Sequence, residues 1–224
     1  MSNLFYPIQA QANVTDSVIV AFSGGKDSVV TLDLCCRYFK NVSAFFMYQV
    51  SNLSFQEATI NWAEQKYGIE IERIPHFELS EFLAYGSFRH YDVNLPIIGM
   101  NDVYNYVRIV NDMWWIAAGE RISDSIVRRA MMKKSGCIDE KRGRFYPIAN
   151  FSKNDILRYI KHHKLKYAPE TSSMGHSFRS LAGRDMFMLR QHYPKDYERV
   201  KSWFPYVEAS ILNYELNELK NGKE

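Results

Sequence analysis

Apolar positions along this chain alternate between short β-branched runs and stripes of helical spacing. Residues 17–22, Ser-Val-Ile-Val-Ala-Phe, form the first run and predict a strand, and a helical pattern begins at Val29. Residues 42–48 predict a second strand. Ser54-Phe55-Gln56-Glu57 reads as a capping box opening a helix that ends at Gly68. Residues 69–74 predict a third strand, stopped by Pro75. Residues 76–100 are aromatic and irregular, with a short helix near Glu81. From Asn101, Val103, Val107 and Val110 repeat at helical spacing. Residues 113–118, Met-Trp-Trp-Ile-Ala-Ala, predict a fourth strand, followed by a helix over 123–134. A short strand near 145–148 precedes a helix from Ser152, its cap, to about His163. Strands separated by helices imply an α/β fold with a doubly wound, mostly parallel sheet. From residue 171 the pattern changes: 178–192, 196–203 and 205–220 read as helices punctuated by Pro194 and Pro205. The expected division is an α/β domain over 1–170 and a helical C-terminal extension over 171–224.

At 224 residues the chain has the length of one α/β domain with appendages. A hydrophobic share of 46% beside 24% charged residues is that of a globular protein. Its 15 Tyr, 14 Phe and 4 Trp supply a sizeable core. The net charge of +3 is too mild to imply a nucleic-acid partner on its own. The N-terminus lacks a basic start followed by an apolar run. No apolar stretch approaches the roughly 20 residues of a membrane span. The expectation is a cytoplasmic protein with no membrane partner. Cys35, Cys36 and Cys137 are too few, and odd in number, for a disulfide scaffold. Cys35 and Cys36 point about 100° apart on a helix and read as buried small hydrophobes, not a chelating pair.

The densest chemistry lies at Ser23-Gly24-Gly25-Lys26-Asp27-Ser28. A strand leading through Gly-Gly into a helix start is the geometry of an anion site. Glycines let the backbone turn tightly, and free N–H groups at the helix start favour negative charge. Lys26 adds a cation; Ser23 and Ser28 add hydroxyl donors. Asp27 repels phosphate unless a cation intervenes, which suggests Mg²⁺ held by Asp27 or a polarised water. The common P-loop needs a glycine at position 20, where Val20 stands. After the fourth strand, Gly119 permits close approach of a ring or phosphate. Arg121 and Arg128 can supply forked donors to phosphate or sulfate, with Asp124 orienting one of them. A solvated basic helix start is the alternative. Tyr48, ending the second strand, suits either an adenine or ribose pocket or the core. Residues 128–144 hold a basic cluster that suits an arm over a triphosphate, a polyanionic substrate or a solvated face. His176 is a weak candidate for substrate contact; Lys161-His162-His163-Lys164 suits a helix C-terminus and no metal.

The Ser-Gly-Gly-Lys-Asp-Ser loop resembles the Ser-Gly-Gly-x-Asp-Ser signature of the PP-loop ATP pyrophosphatases. Gly119-x-Arg121-x-x-Asp124-Ser125-x-x-Arg128 resembles an element of the phosphoadenosine phosphosulfate reductase family, with Asp in place of Glu. Residues 147–160, beginning Pro147-Ile148, resemble another. The resemblance implies a Rossmann-like sheet that binds an adenine nucleotide at Ser23, Gly24, Gly25, Lys26, Asp27, Ser28, Tyr48, Gly119 and Arg121. It implies catalytic parts for Lys26, Asp27, Arg121 and Arg128, with ATP and Mg²⁺ as cofactors. The chain departs from the family's reducing members in having no cysteine after Cys137, with Gly175-His176 in place of Gly-Cys. Iron–sulfur members need clustered cysteines, so no iron–sulfur cluster is expected. The reading that follows is an enzyme that adenylates an acceptor and releases pyrophosphate. Sulfonucleotide reduction or sulfur transfer with a partner thiol is the alternative, and a non-catalytic nucleotide-binding module the third. The acceptor is open, nucleic acid included, and so is a homodimer or partner protein.

Overall fold

The computed structural model describes residues 4–175, 178 and 180–221. In chain order the elements are α1 (Tyr6–Ala12), β1 (Ser17–Ala21), α2 (Lys26–Tyr38), β2 (Asn41–Tyr48), α3 (Ser54–Tyr67), β3 (Ile71–Pro75) and α4 (Phe77–Tyr85). Then come α5 (Met100–Asn111), β4 (Ile116–Ala117), α6 (Ile126–Ser135), β5 (Ile138–Asp139), a 3₁₀ turn (Glu140–Arg142) and β6 (Arg144–Phe145). The chain ends in α7 (Lys153–His163), α8 (Glu170–Ser173), α9 (Gly183–His192), α10 (Pro194–Trp203) and α11 (Val207–Asn221).

The six strands lie in the order β3-β2-β1-β4-β6-β5. β1 runs parallel to β2 and β4, β4 runs parallel to β6, and β5 runs antiparallel to β6. This is the mostly parallel α/β sheet that the alternating pattern predicts. Val18, Ile19 and Val20 are fully buried. A strand covered on both faces has no polar face to alternate with, which is why β1 reads as a continuous apolar run. The chain passes from β1 to β2 on one side, and β4 joins β1 on the other. That reversal is the switch point where such sheets bind ligands at their carboxyl ends.

Three local expectations are corrected. The fourth strand is two residues long, not six: Trp114 turns away to stack under the Arg108 guanidinium at 4.3 Å, and its carbonyl accepts from Arg108 Nε at 2.8 Å. The last strand ends at Phe145, and before it comes the unforeseen β5, whose pairing of Ile138 with Phe145 is too short to leave a periodicity. Ser54 is the first residue of α3, not its cap; its N–H and hydroxyl both donate to the Asp196 carboxylate, at 2.9 and 2.6 Å.

The chain gathers into two compact units. One comprises Met1–Met47, Thr59–Ile74 and Met100–Tyr167; the other comprises Tyr48–Ala58, Pro75–Gly99 and Ala168–Glu224. The first holds nearly the whole sheet. Within it Asp33 on α2 is buried and accepts from Arg37 Nε, Tyr67 on α3 and Tyr159 on α7 at 2.6–2.7 Å. These bonds tie the helix that follows the glycine loop to its neighbours. The second unit closes around Val50, Leu53, Phe55, Leu181, Met186, Leu189, Val200, Phe204 and Ile211.

Glu170, at the start of α8, is buried and its Oε2 has no hydrogen-bond partner. Burial raises its carboxyl to about 6 from the ordinary 4.5. A folded-state value above the unfolded one penalises the ionised form. The penalty is absent below pH 4.5, grows as pH rises to about 6, and is constant above. Glu170→Gln should therefore stabilise the protein at pH 8 by about 2 kcal/mol and leave it unchanged at pH 4, as read by denaturant melts at the two values.

Candidate functional site

β1 delivers the chain at the switch point into Phe22-Ser23-Gly24-Gly25, and α2 begins at Lys26. Phe22 is pinned by its N–H to Phe45 O at 2.9 Å, which fixes the loop's first residue. Gly24 takes φ +74°, a left-handed conformation that a side chain would strain. Gly25 is the N-cap of α2 and no side chain caps it. The first-turn amides of a helix have no partner inside the helix. Here nothing from a side chain takes their place, whereas Ser125 caps α6 and Ser152, with Asp155, builds a capping box on α7.

The Ser28 hydroxyl is a strut. It donates to Gly25 O at 3.0 Å and accepts from the Ser23 N–H and hydroxyl, both at 3.1 Å. Ser28 is buried, so in this arrangement it shapes the loop from behind. Gly119 packs closely on the helix that follows the loop. A Cβ there would sit 3.2 Å from Ser28 N and Thr31 Oγ1 and 3.3 Å from Asp27 C. The glycine lets the exit of β4 lie directly on the first turn of α2.

That contact brings the second motif to the loop. Lys26 pairs with Asp27, Asp27 Oδ1 faces Arg121 Nε at 3.3 Å, Arg121 Nη2 pairs with Asp124 at 2.6 Å, and Arg128 Nη1 lies 3.7 Å from the same carboxylate. Asp124 also accepts the Arg121 N–H at 2.8 Å. So Asp124 orients both arginines, where the sequence assigned it one. The Arg121 side chain is only 9% exposed, yet its Nε and Nη1 make no hydrogen bond, the 3.3 Å approach of Asp27 lacking the alignment. A buried guanidinium with unmet donors is a costly feature unless an anion completes it.

Asp27, the residue expected to hold Mg²⁺, has two cations beside it, Lys26 and Arg121. Glu120, between Gly119 and Arg121, carries an unpartnered buried Oε2, and burial raises its carboxyl above the ordinary range. Sequence reading passed it over, since only burial distinguishes it from a surface glutamate. Tyr48 ends β2 with its ring edge-on to Trp203 at 6.4 Å and packs against the core of the second unit. Arg129 is exposed, and His176 lies outside the described residues.

The family model described as phosphoadenosine phosphosulfate reductase domain matches residues 17–172. No curated protein sequence matches the chain. Among solved structures it is similar to the phosphoadenylyl-sulfate reductase from Candida auris in a phosphate complex: TM-score 0.52, 15% identity, 80% of this chain and 87% of that one. It is also similar to an NH3-dependent NAD synthetase from Campylobacter jejuni in complex with nitrate: TM-score 0.51, 18% identity, 92% and 89% covered. A third is the U34-tRNA thiolase NcsA from Methanococcus maripaludis with its [4Fe-4S] cluster: TM-score 0.50, 17% identity, 92% and 79% covered. At these identities the likeness is one of fold.

The thiolase corrects the expectation of no iron–sulfur cluster, because a protein of this fold carries one. The ligands of a cluster belong to the segments grafted on a fold, so membership of the fold sets no limit on cofactors. Among the described residues no group of three or more His, Cys, Asp or Glu side chains is placed to hold a metal ion. No helix among the described residues is long and apolar enough to cross a membrane.

Proposed function

We propose, on the premise that the chain belongs to the phosphoadenosine phosphosulfate reductase domain family, that it binds ATP at the loop after β1 and adenylates an acceptor with release of pyrophosphate. The observation that carries this reading is the uncapped start of α2 set beside Lys26 and a buried arginine with unmet donors. Loop amides from Gly24 to Asp27 and the Lys26 ammonium hold the β- and γ-phosphates. Arg121 turns its free donors to the phosphate chain, and Arg128, half-exposed, closes from the rim. Asp27 and Asp124 keep these cations aimed. An acceptor oxygen attacks the α-phosphorus, the bond to the bridging α–β oxygen breaks, and the charge left on pyrophosphate falls where amides and cations converge. Residues 1–170 carry the nucleotide; 171–224 extend it. The nitrate and phosphate bound by two relatives of this fold support an oxyanion ligand.

The family match keeps one second reading: the loop holds a phosphosulfate and a partner thiol attacks sulfur. The chain's own thiols suit that poorly, because attack needs a thiolate. Burial pushes the Cys35 thiol far up, Cys36 to about 12, and Cys137 above its ordinary value.

Incubation with α-labelled ATP and candidate acceptors tests the proposal. Labelled AMP, bound to the acceptor or freed from it by a later nucleophile, in amounts equal to pyrophosphate supports it; ADP and phosphate as main products refute it. Lys26→Ala should weaken ATP binding by about tenfold or more, the worth of one charged hydrogen bond. Its thermal melt should barely move, since the side chain is 29% exposed and, among the described residues, paired only with its neighbour Asp27. Calorimetric titration beside the melt reads both.

A further inference from the structure

The basic cluster of residues 128–144 is not one surface. Ala117 pairs with Phe145, and Ile138 pairs with Phe145 from the other side. Tyr146 N–H donates to Cys137 O at 2.9 Å. The segment that leaves the sheet after β4 therefore returns at the carboxyl end of β6. Both ends of α6 lie on the edge that carries the glycine loop, so α6 is an excursion on that edge and not a crossover to the opposite one. Lys141 and Arg142 lie in the turn between Asp139 and Arg144, which pair with each other, and this turn is at the amino end of β6. The cluster is split between opposite edges of the sheet.

What α6 presents is unusual for a helix of an α/β unit. Met132 is its only buried residue. Arg128, Arg129, Lys133 and Lys134 are exposed, and Ile126 and Val127 are 83% and 77% exposed. Residues 125–137 contain no acidic residue to pair with these cations. The acidic groups nearest in sequence on this edge are Asp124, which is held by Arg121 and Arg128, and Glu120, which is half-buried. Arg129, Lys133 and Lys134 thus form a cationic face about 7.5 Å long at 1.5 Å per residue, with an apolar step at its end nearest Asp124.

We propose that α6 docks the acceptor, and that the acceptor is a single-stranded segment of nucleic acid. The inference rests on the adenylation reading, since it names that reaction's substrate class. Phosphodiesters spaced along a strand match cations spaced along a helix. Unpaired bases offer apolar faces to Ile126 and Val127, which a duplex buries in its stack. Chemistry on a base at the loop also requires that base to be unpaired.

The test is fluorescence anisotropy with labelled 20-nucleotide single strands of RNA and DNA, and with the corresponding duplex, over a range of salt. The wild-type chain should bind the single strands more tightly than the duplex. Arg129→Gln/Lys133→Gln/Lys134→Gln should weaken binding about tenfold or more and flatten the slope of log K against log salt by about 2, three single-strand phosphate contacts at roughly 0.7 each. A control with equal charge change, Lys40→Gln/Lys141→Gln/Arg142→Gln, alters the amino edge and should bind as the wild type. Both variants should bind ATP normally and melt as the wild type, because the altered residues are exposed. ATP binding without strand binding by the wild type overturns the docking proposal and leaves adenylation standing. Equal losses in the two variants overturn it in favour of bulk charge, and loss of ATP binding in the first makes α6 a lid on the nucleotide instead. Failure of the wild type to bind ATP sinks the underlying reading.

Discussion

Arg121→Ala should weaken ATP binding by more than about a hundredfold, and a second substitution should restore part of it. Arg121 lies between two carboxylates, Asp27 at 3.3 Å and Asp124 at 2.6 Å, with its side chain 9% exposed. Its removal takes away the donors that face the phosphates, and a hydrogen bond to a charged group is worth about 1.5–3 kcal/mol. It also leaves Asp27 and Asp124 uncompensated beside an incoming polyanion, so repulsion adds to the lost attraction. That second part is separable. In Arg121→Ala/Asp27→Asn the neighbouring charge is gone, and affinity should recover by about tenfold, roughly 1.4 kcal/mol. Calorimetric titrations of both variants, beside melts that establish folding, read the two terms. A folded Arg121→Ala protein that binds ATP within about threefold of the wild type would remove the second motif from the site. No rescue by Asp27→Asn would show that the string of charges is not coupled.

The parts of this site that were legible in the sequence are those whose causes are local. A β-branched run, two glycines and a helix start are contiguous, so residues 17–28 announce both the turn and its exposed amides. The Ser152 capping box was equally legible, because its partner Asp155 stands three residues on. Distance in sequence hid the rest. Ser54 looks like a cap, but its partner is Asp196, 142 residues away. The missing side chain at Gly119 is also used by the first turn of α2, far back in the sequence. Lys141 and Arg142 look continuous with Arg128 and Arg129 until the two-residue β5 turns the chain to the other edge. A strand of two residues leaves no periodicity to read, and the register alone reveals what it does to the charges.

Asp33→Asn should destabilise the protein by about 3 kcal/mol at pH 7 and by less as pH falls below 3.8. Asp33 sits two turns into α2, behind the loop, and is almost wholly buried. Its carboxylate receives Arg37 Nε at 2.6 Å and the hydroxyls of Tyr67 and Tyr159 at 2.7 Å. An amide offers one acceptor oxygen where the carboxylate offers two, so one phenol or the guanidinium loses its partner. Breaking a buried, fully satisfied charge costs about 3–5 kcal/mol, and the partial exposure of Arg37 places this case at the lower end. For a chain of this length such a loss lowers the melting temperature by about 6–12 °C. The pH dependence follows from the sign of the shift. Burial works against the ionised form, but the bonds from Arg37, Tyr67 and Tyr159 outweigh it and hold the carboxyl below its ordinary 3.8. A depressed folded-state value contributes stability that is fully present above 3.8 and fades as pH falls through the folded value. The gap between wild type and variant should therefore be widest near neutrality and narrow as pH falls below 3.8. ATP affinity of the variant, measured below its melt, should stay within about twofold, because the loop's own struts from Ser23, Gly25 and Ser28 are untouched. A variant as stable as the wild type at pH 7 would mean that α3 and α7 hold α2 by packing alone.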